Sequence, residues 1–198
     1  MIHTIGHSNH PIERFVALLT QHSVGILADV RSTPFSRFNP QFNSERLRAS
    51  LSEAGIEYLF LGHQLGARTE DASCYDCDGR VSYAKLAATS PFQEGIRKLI
   101  ELAAQERRVV LMCAEREPLE CHRTILVARE LAHAALPVLH ILADGSVEEH
   151  AHAIERLLVD LDLTTTDLFR DSAGLIEQAY DEQAKRIAYV RNPNRSVQ

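Results

Sequence analysis

Residues 107–131 constrain the fold of this chain more than any other stretch. Val109–Val110–Leu111–Met112 is a short apolar run rich in β-branched residues, the pattern of a buried parallel strand. From Arg123 onward the sequence favours helix, with Ile125, Ala128 and Ala132 on one face. Between strand and helix lie Cys113, Glu115, Arg116, Glu117, Glu120, Cys121, His122 and Arg123. A strand-to-helix turn is where an open α/β sheet exposes its chemistry, at the carboxyl ends of the strands. This loop is therefore the first place to look for a site.

The rest of the chain repeats the same alternation. Strands are predicted over 2–5, 24–30, 57–61 and 137–142, in addition to the central one. Helices are predicted from Pro11, with Ile12, Phe15, Val16 and Leu19 as the apolar face, and over Ser44–Ala54, closed by Gly55. Ser90–Pro91–Phe92–Gln93 and Ser146–Val147–Glu148–Glu149 read as capping boxes opening two more. A last helix is predicted over about 172–189. Strands alternating with helices at this spacing predict an α/β fold: a mostly parallel five-stranded sheet with helices on both faces, a Rossmann-like three-layer architecture. Residues 1–163 form the α/β domain, 164–190 a helical extension packed on it, and 191–198 a flexible tail. Residues 62–89 have weak periodicity, and so long a connection inside a compact domain is usually functional.

Composition narrows the function. A formal net charge of −6 excludes a nucleic-acid binder driven by overall positive charge and leaves nucleic acid only a local basic pocket. No apolar run reaches the length of a membrane span, and Met1–Ile2–His3–Thr4 lacks a signal pattern. With four cysteines, reduced thiols in the cytoplasm are the expectation, and no membrane partner is expected. Nothing in the sequence fixes the oligomeric state.

In a parallel sheet the strand ends share one edge, so the polar residues placed there should converge. These are His7 and Ser8 after strand one, Asp29 and Arg31 after strand two, Cys113 and Glu115 after strand four, and His140 and Asp144 after strand five. Arg37, Arg116 and Arg123 occupy adjoining loops. Several guanidiniums around one cleft of an acidic protein point to a small anionic ligand, because their planar forks match phosphate and carboxylate oxygens. The plainer reading is that Asp29 pairs with Arg31 and Glu115 with Arg123, stiffening the loops. Cys121–His122–Arg123 sits where a helix begins, and the free N–H groups there favour a thiolate or bound anion. Cys113 reads as a nucleophile, a metal ligand or an inert buried thiol. His7, Cys113, Cys121 and His122 have the chemistry of zinc ligands, although Cys113 and Cys121 lack a standard ligand spacing. No cofactor is required by the sequence, with zinc or iron as the metals such a set would take. Cys74-x-x-Cys77 has knuckle spacing without a second pair. Phe35, Phe38 and Phe42 lie in a proline-punctuated loop and serve either core packing or stacking on a base.

Thr4–Ile5–Gly6–His7–Ser8, Asp29–Val30–Arg31–Ser32-x-Pro34-x-Ser36, Leu61–Gly62, Cys113–Ala114–Glu115-x-x-Pro118-x-x-Cys121–His122–Arg123 and His140–Ile141-x-x-Asp144–Gly145 together resemble the domain of unknown function 488 family. The resemblance extends from the first residues to the closing helix with Ala179–Tyr180 and Gln183–Ala184. It implies an α/β domain with its site at the Cys–Ala–Glu…Cys–His–Arg segment, and it implies no particular activity. Cys74 and Cys77 are not part of the pattern. The order of segments is also similar, more weakly, to rhodanese-like domains, in which a cysteine ends a strand before an anion-cradling loop. Here that loop is longer and carries Glu115, Glu117 and Glu120, which disfavour an anion cradle unless each is paired.

Three functional readings follow. The first is an enzyme acting on a phosphate-bearing small molecule, nucleotide or nucleic-acid end. Arg31, Arg37 and Arg123 would hold the anion, Glu115 or Asp29 act as base, and His7 or His122 as acid, with Cys113 or Cys121 as nucleophile in a variant of the same scheme. The second is a non-catalytic anion or nucleotide-binding module. The third is a rhodanese-like thiol enzyme or a metal-dependent hydrolase. Ionisable groups of both signs at one edge favour the enzyme.

Overall fold

The computed structural model describes residues 1–105, 107–163 and 172–191. Six strands form one sheet: β1 (Ile2–Gly6), β2 (Val24–Asp29), β3 (Glu57–Phe60), β4 (Arg108–Cys113), β5 (Val138–Ile141) and β6 (Val147–Glu149), in the order β3-β2-β4-β1-β5-β6. The first five run parallel and β6 is antiparallel to β5. The fold is thus the expected α/β sheet with one added edge strand.

That strand corrects the reading of Ser146–Glu149 as a helix start. Asp144 Oδ1 accepts from both Ser146 N (2.9 Å) and Ser146 Oγ (2.7 Å), so the serine hydroxyl is engaged and caps nothing. Gly145, at φ 99°, turns the chain back and aligns Val147 with Ile141. The helix α7 (His150–Asp160) begins only afterwards. A smaller correction concerns α5 (Ser90–Ala103), whose cap is Thr89, accepting from Phe92 N, rather than Ser90.

The strand period of two divides the core. In β4, Val110 and Met112 face the cluster that holds Phe15, Leu18 and Leu19 of α1 (Ile12–Gln21) and Leu47 and Leu51 of α2 (Ser44–Glu53). Val109, Leu111 and Cys113 face the opposite, larger cluster. That cluster includes Leu65 of α3 (Gly62–Leu65), Leu86 of α4 (Tyr83–Ala87), Phe92, Ile96 and Leu99 of α5, and Ile154 and Leu157 of α7. A fully buried leucine or phenylalanine contributes roughly 1.5–3 kcal/mol, so alternation on both faces fixes the register of every central strand. It also decides which way the thiol of Cys113 points.

The segment 62–89 contains α3 and α4, both short, with Tyr75 and Val81 bridged between them. After the loop that follows β4, Arg123–Ala128 forms a π-helical stretch that runs into α6 (Arg129–His133). All six π-helical residues are buried, and such wide turns recur at functional sites. The last helix, α8 (Ser172–Ile187), packs Ala179, Tyr180 and Ala184 into the larger cluster. The tail expected to be flexible lies, from residue 192, outside the described residues. Among the described residues, no helix is long and apolar enough to cross a membrane.

Candidate functional site

A cavity of about 590 Å³ opens at the carboxyl ends of β1, β2 and β4. Its size is that of an ordinary small-molecule site. His7, Ser8, Arg31, Cys113 and Glu115, five of the residues predicted from strand-end position, all line it, and His122 from the start of the next helix joins them.

Four donor groups meet beside it, and Cys113, Glu115 and His122 of these line the cavity. Cys113 Sγ lies 3.6 Å and Cys121 Sγ 3.9 Å from His122 Nδ1, and Cys121 Sγ donates to Glu115 Oε2 at 3.0 Å. One ligating atom from each of Cys113, Glu115, Cys121 and His122 falls within 4.8 Å of all the others. The other imidazole nitrogen fixes the tautomer. His122 Nε2 lies 3.0 Å from the Val30 carbonyl, which can only accept, so Nε2 carries the hydrogen and Nδ1 presents its lone pair to the thiols.

Local sequence builds this arrangement. Cys113 ends β4, and Glu117 starts a one-turn 3-10 helix (Pro118–Glu120) by accepting from Leu119 N. That turn returns the chain, so Cys121 comes back over Cys113. Gly6 permits the close approach, because a Cβ there would lie 1.9 Å from the Glu115 carbonyl oxygen. Arg123 is fully buried and braces the loop from below, donating to the carbonyls of Glu115 (2.7 Å) and Arg116 (3.3 Å).

The electrostatics are those of a shared-proton cluster. Burial raises both thiols, and Cys113 stays raised because negative charge is better held on Cys121. There, the Cys113 hydrogen bond, Arg123 and His122 outweigh burial and bring the thiol down, while Arg123 N donates to its sulfur at 3.4 Å. His122 is raised: burial opposes its charge, but Cys121 and Glu115 favour it. Glu115 is raised by burial and then by Cys121. The residue as a whole is exposed, yet its carboxylate is turned inward against the thiol.

Of the predicted arginines, Arg31 and Arg123 are committed elsewhere. Arg31 is held by Asp29 through Nε (2.9 Å) and Nη2 (2.6 Å) and also donates to the Phe42 carbonyl. Asp29, fully buried, lies beneath Arg31 and away from the cavity wall, accepting from Tyr58 Oη as well. His7 Nδ1 donates to the Ser8 carbonyl (2.8 Å), and Arg31 Nη1 donates to Nε2 (3.3 Å). Burial, reinforced by Arg31, pushes His7 down to about 4, so it is a neutral wall residue without a proton to give at pH 7. Arg37 is exposed against the Phe38 ring, and Arg116 is exposed.

Two further predicted residues stand apart. His140 is buried in a chain from Thr4 Oγ1 (2.8 Å) through His150 Nδ1 (3.0 Å) to Tyr180 Oη beyond. Asp144 forms the exposed β5–β6 turn. Cys74 is buried, Cys77 is exposed, and neither belongs to the four-donor cluster. Of the three phenylalanines, Phe42 stacks on His7 at 4.2 Å, while Phe35 stays 65% exposed on the cavity wall.

Position in the sequence gave no hint of Arg68 and Tyr83, which also line the cavity. Both come from segment 62–89, whose length was their one signal. Ser32 Oγ accepts from Arg68 N at 2.9 Å and holds that backbone at the rim. The guanidinium lies 4.6 Å over the Tyr189 ring, and among the described residues no carboxylate pairs with it.

The profile of one protein family, described as Domain of unknown function DUF488, matches residues 11–129, more than half of the chain. The chain belongs to this family. The matched DUF488 segment contains the whole four-donor cluster, together with Asp29, Arg31 and Arg68, and stops short of His7, His140 and Asp144. No curated protein and no solved structure matches the chain, and the rhodanese-like similarity gains no support from these comparisons.

Proposed function

We propose that this DUF488 protein is an enzyme acting on a phosphate-bearing small molecule, with a nucleotide as the favoured class. One observation carries the reading: in a cluster of two thiols, a carboxylate and an imidazole, the Cys113 thiol, the Glu115 carboxylate and the His122 imidazole line a ligand-sized cavity. An arginine with no acidic partner among the described residues stands on the same cavity's wall. In this reading Arg68, rather than Arg37, Arg116 or Arg123, takes the phosphate oxygens. The Phe35 ring, exposed on the wall, stacks against the base. The reacting bond then sits above Cys113, Glu115 and His122, and Glu115 at the cavity edge is the base.

The test is turnover and binding across nucleoside mono- and diphosphates, sugar phosphates and inorganic phosphate. Product formation that disappears in Glu115→Gln, with a raised KM in Arg68→Ala, is the expected result. Ligand-dependent stabilisation without product across the panel would favour a binding module instead. Neither binding nor turnover of any phosphate compound would sink the reading.

A further inference from the structure

The four-donor cluster has a second property that a thiol or carboxylate catalyst does not need. Its groups converge on one point. Tetrahedral zinc, with sulfur at about 2.3 Å and nitrogen or oxygen at about 2.0–2.2 Å, places neighbouring ligand atoms roughly 3.5 Å apart. The separations from His122 Nδ1 are 3.6 Å to Cys113 Sγ and 3.9 Å to Cys121 Sγ. The 3.0 Å between Cys121 Sγ and Glu115 Oε2 is a hydrogen bond that opens by a few tenths of an ångström when its proton leaves.

We propose that the protein binds one zinc ion through Cys113 Sγ, Cys121 Sγ, His122 Nδ1 and a Glu115 carboxylate oxygen.

The surroundings are those a zinc ligand set requires. His122 donates its second nitrogen to a backbone carbonyl, the usual outer partner of a metal-bound histidine, and this aims Nδ1 at the cluster. The Arg123 N–H donates to the Cys121 sulfur and stabilises it as thiolate. Two thiolates, one carboxylate and a neutral imidazole around a dication leave one negative charge. Arg123 offsets it without competing for the ligands, because Nη1 and Nη2 donate to the carbonyls of Glu115 and Arg116. Soft sulfur donors select zinc over magnesium or calcium. His7, a candidate ligand by sequence, is excluded because both ring nitrogens are engaged elsewhere. Glu115 replaces it in the set.

Access and exchange are also provided. Cys113, Glu115 and His122 reach the cavity, while Cys121 does not line it. Glu115, exposed at the edge, is the ligand that an incoming substrate oxygen would displace, which would free its carboxylate to act as the base. The site then has three protein ligands and one open position, the arrangement of catalytic zinc. The inference rests on the functional reading above, but its test measures metal rather than product. A zinc-loaded protein inert to every phosphate compound sinks that reading and leaves the site standing. Turnover by a protein that takes up no zinc in the titration does the opposite.

The experiment uses the full chain, stripped with a chelator under reducing conditions and titrated with Zn²⁺ and, separately, Co²⁺. One equivalent of zinc by elemental analysis, a higher Tm, and a cobalt spectrum with thiolate charge-transfer bands and intense tetrahedral d–d bands are expected. Cys113→Ser and Cys121→Ser should each lower affinity at least tenfold, whereas the Cys74→Ser/Cys77→Ser double variant should bind as the parent does. If the single variants do not fold, the parent's cobalt spectrum still decides. Absence of thiolate charge transfer, substoichiometric zinc, preferential retention of iron, or loss of binding only in the Cys74/Cys77 variant would each overturn the proposal.

Discussion

Replacing Asp29 by asparagine tests how the cavity wall is held. The Asp29 carboxylate is fully buried and accepts from Arg31 N (3.1 Å), Arg31 Nε (2.9 Å), Arg31 Nη2 (2.6 Å) and Tyr58 Oη (2.8 Å). The Arg31 side chain is itself only 6% exposed. An amide of the same shape retains one acceptor oxygen and removes the charge, leaving a buried guanidinium without its counter-ion. Breaking a buried pair in this way costs about 3–5 kcal/mol. With a urea slope of roughly 2 kcal/mol per molar, the unfolding midpoint should fall by about 2 M at pH 7. Tyr58→Phe removes one hydrogen bond to the same carboxylate and should cost roughly 1.5–3 kcal/mol. The double change Asp29→Leu/Arg31→Met, which removes both charges, should be less damaging than Asp29→Asn alone. If Asp29→Asn costs under about 1 kcal/mol, the guanidinium is not desolvated as described and the account of this wall fails.

Other perturbations reach other parts of the fold. Gly6→Ala places a Cβ 1.9 Å from the Glu115 carbonyl, so the loop must shift; a loss of about 1–3 kcal/mol and weaker zinc binding are expected from denaturation and metal titration. Leu111→Ala, at a fully buried position in β4, should cost about 2–5 kcal/mol by the same denaturation assay. Acid should destabilise the protein through His140 and His150. Burial holds His150 down to about 4, and burial, His150 and nearby arginines hold His140 down too. Folded values below the unfolded one of about 6.5 mean that this stability is full above that pH and is lost as pH falls toward 4, by about 2 kcal/mol for His150 between pH 7 and pH 5, with His140 acting in the same direction. A flat stability profile over that range would contradict the burial of the pair.

The parallel sheet was readable because Val109–Met112 is an apolar run and Val24–Val30 and Ile2–Ile5 carry β-branched residues that bury. The sixth strand was not. Ser146-x-x-Glu149 satisfies a capping pattern, and only the tertiary choice of Asp144 to hold the Ser146 hydroxyl converts it into a hairpin turn. The edge on which the site lies followed from strand-end position alone, which brought His7, Arg31, Cys113 and Glu115 to one cavity. Residue type misled for the arginines. Arg123 looks like an anion ligand in sequence, but its partners are backbone carbonyls, which no spacing rule reveals. Arg68 was invisible for the converse reason: it lies in a segment without periodicity, positioned by a single bond to Ser32 Oγ. Glu115 was legible as an ionisable group beside the end of β4 yet not as a fourth donor, because that placement depends on the turn through Pro118–Glu120 that carries Cys121 back over Cys113.

The central claim is that Cys113, Glu115, Cys121 and His122 act as one unit beside the cavity. X-ray absorption at the zinc edge of the reconstituted full chain tests it most directly. The account predicts a first shell of two sulfurs at about 2.3 Å and two nitrogen or oxygen atoms at about 2.0–2.2 Å, falling to one sulfur in Cys113→Ser. A shell of oxygen and nitrogen alone, or one unchanged by Cys113→Ser, would contradict it.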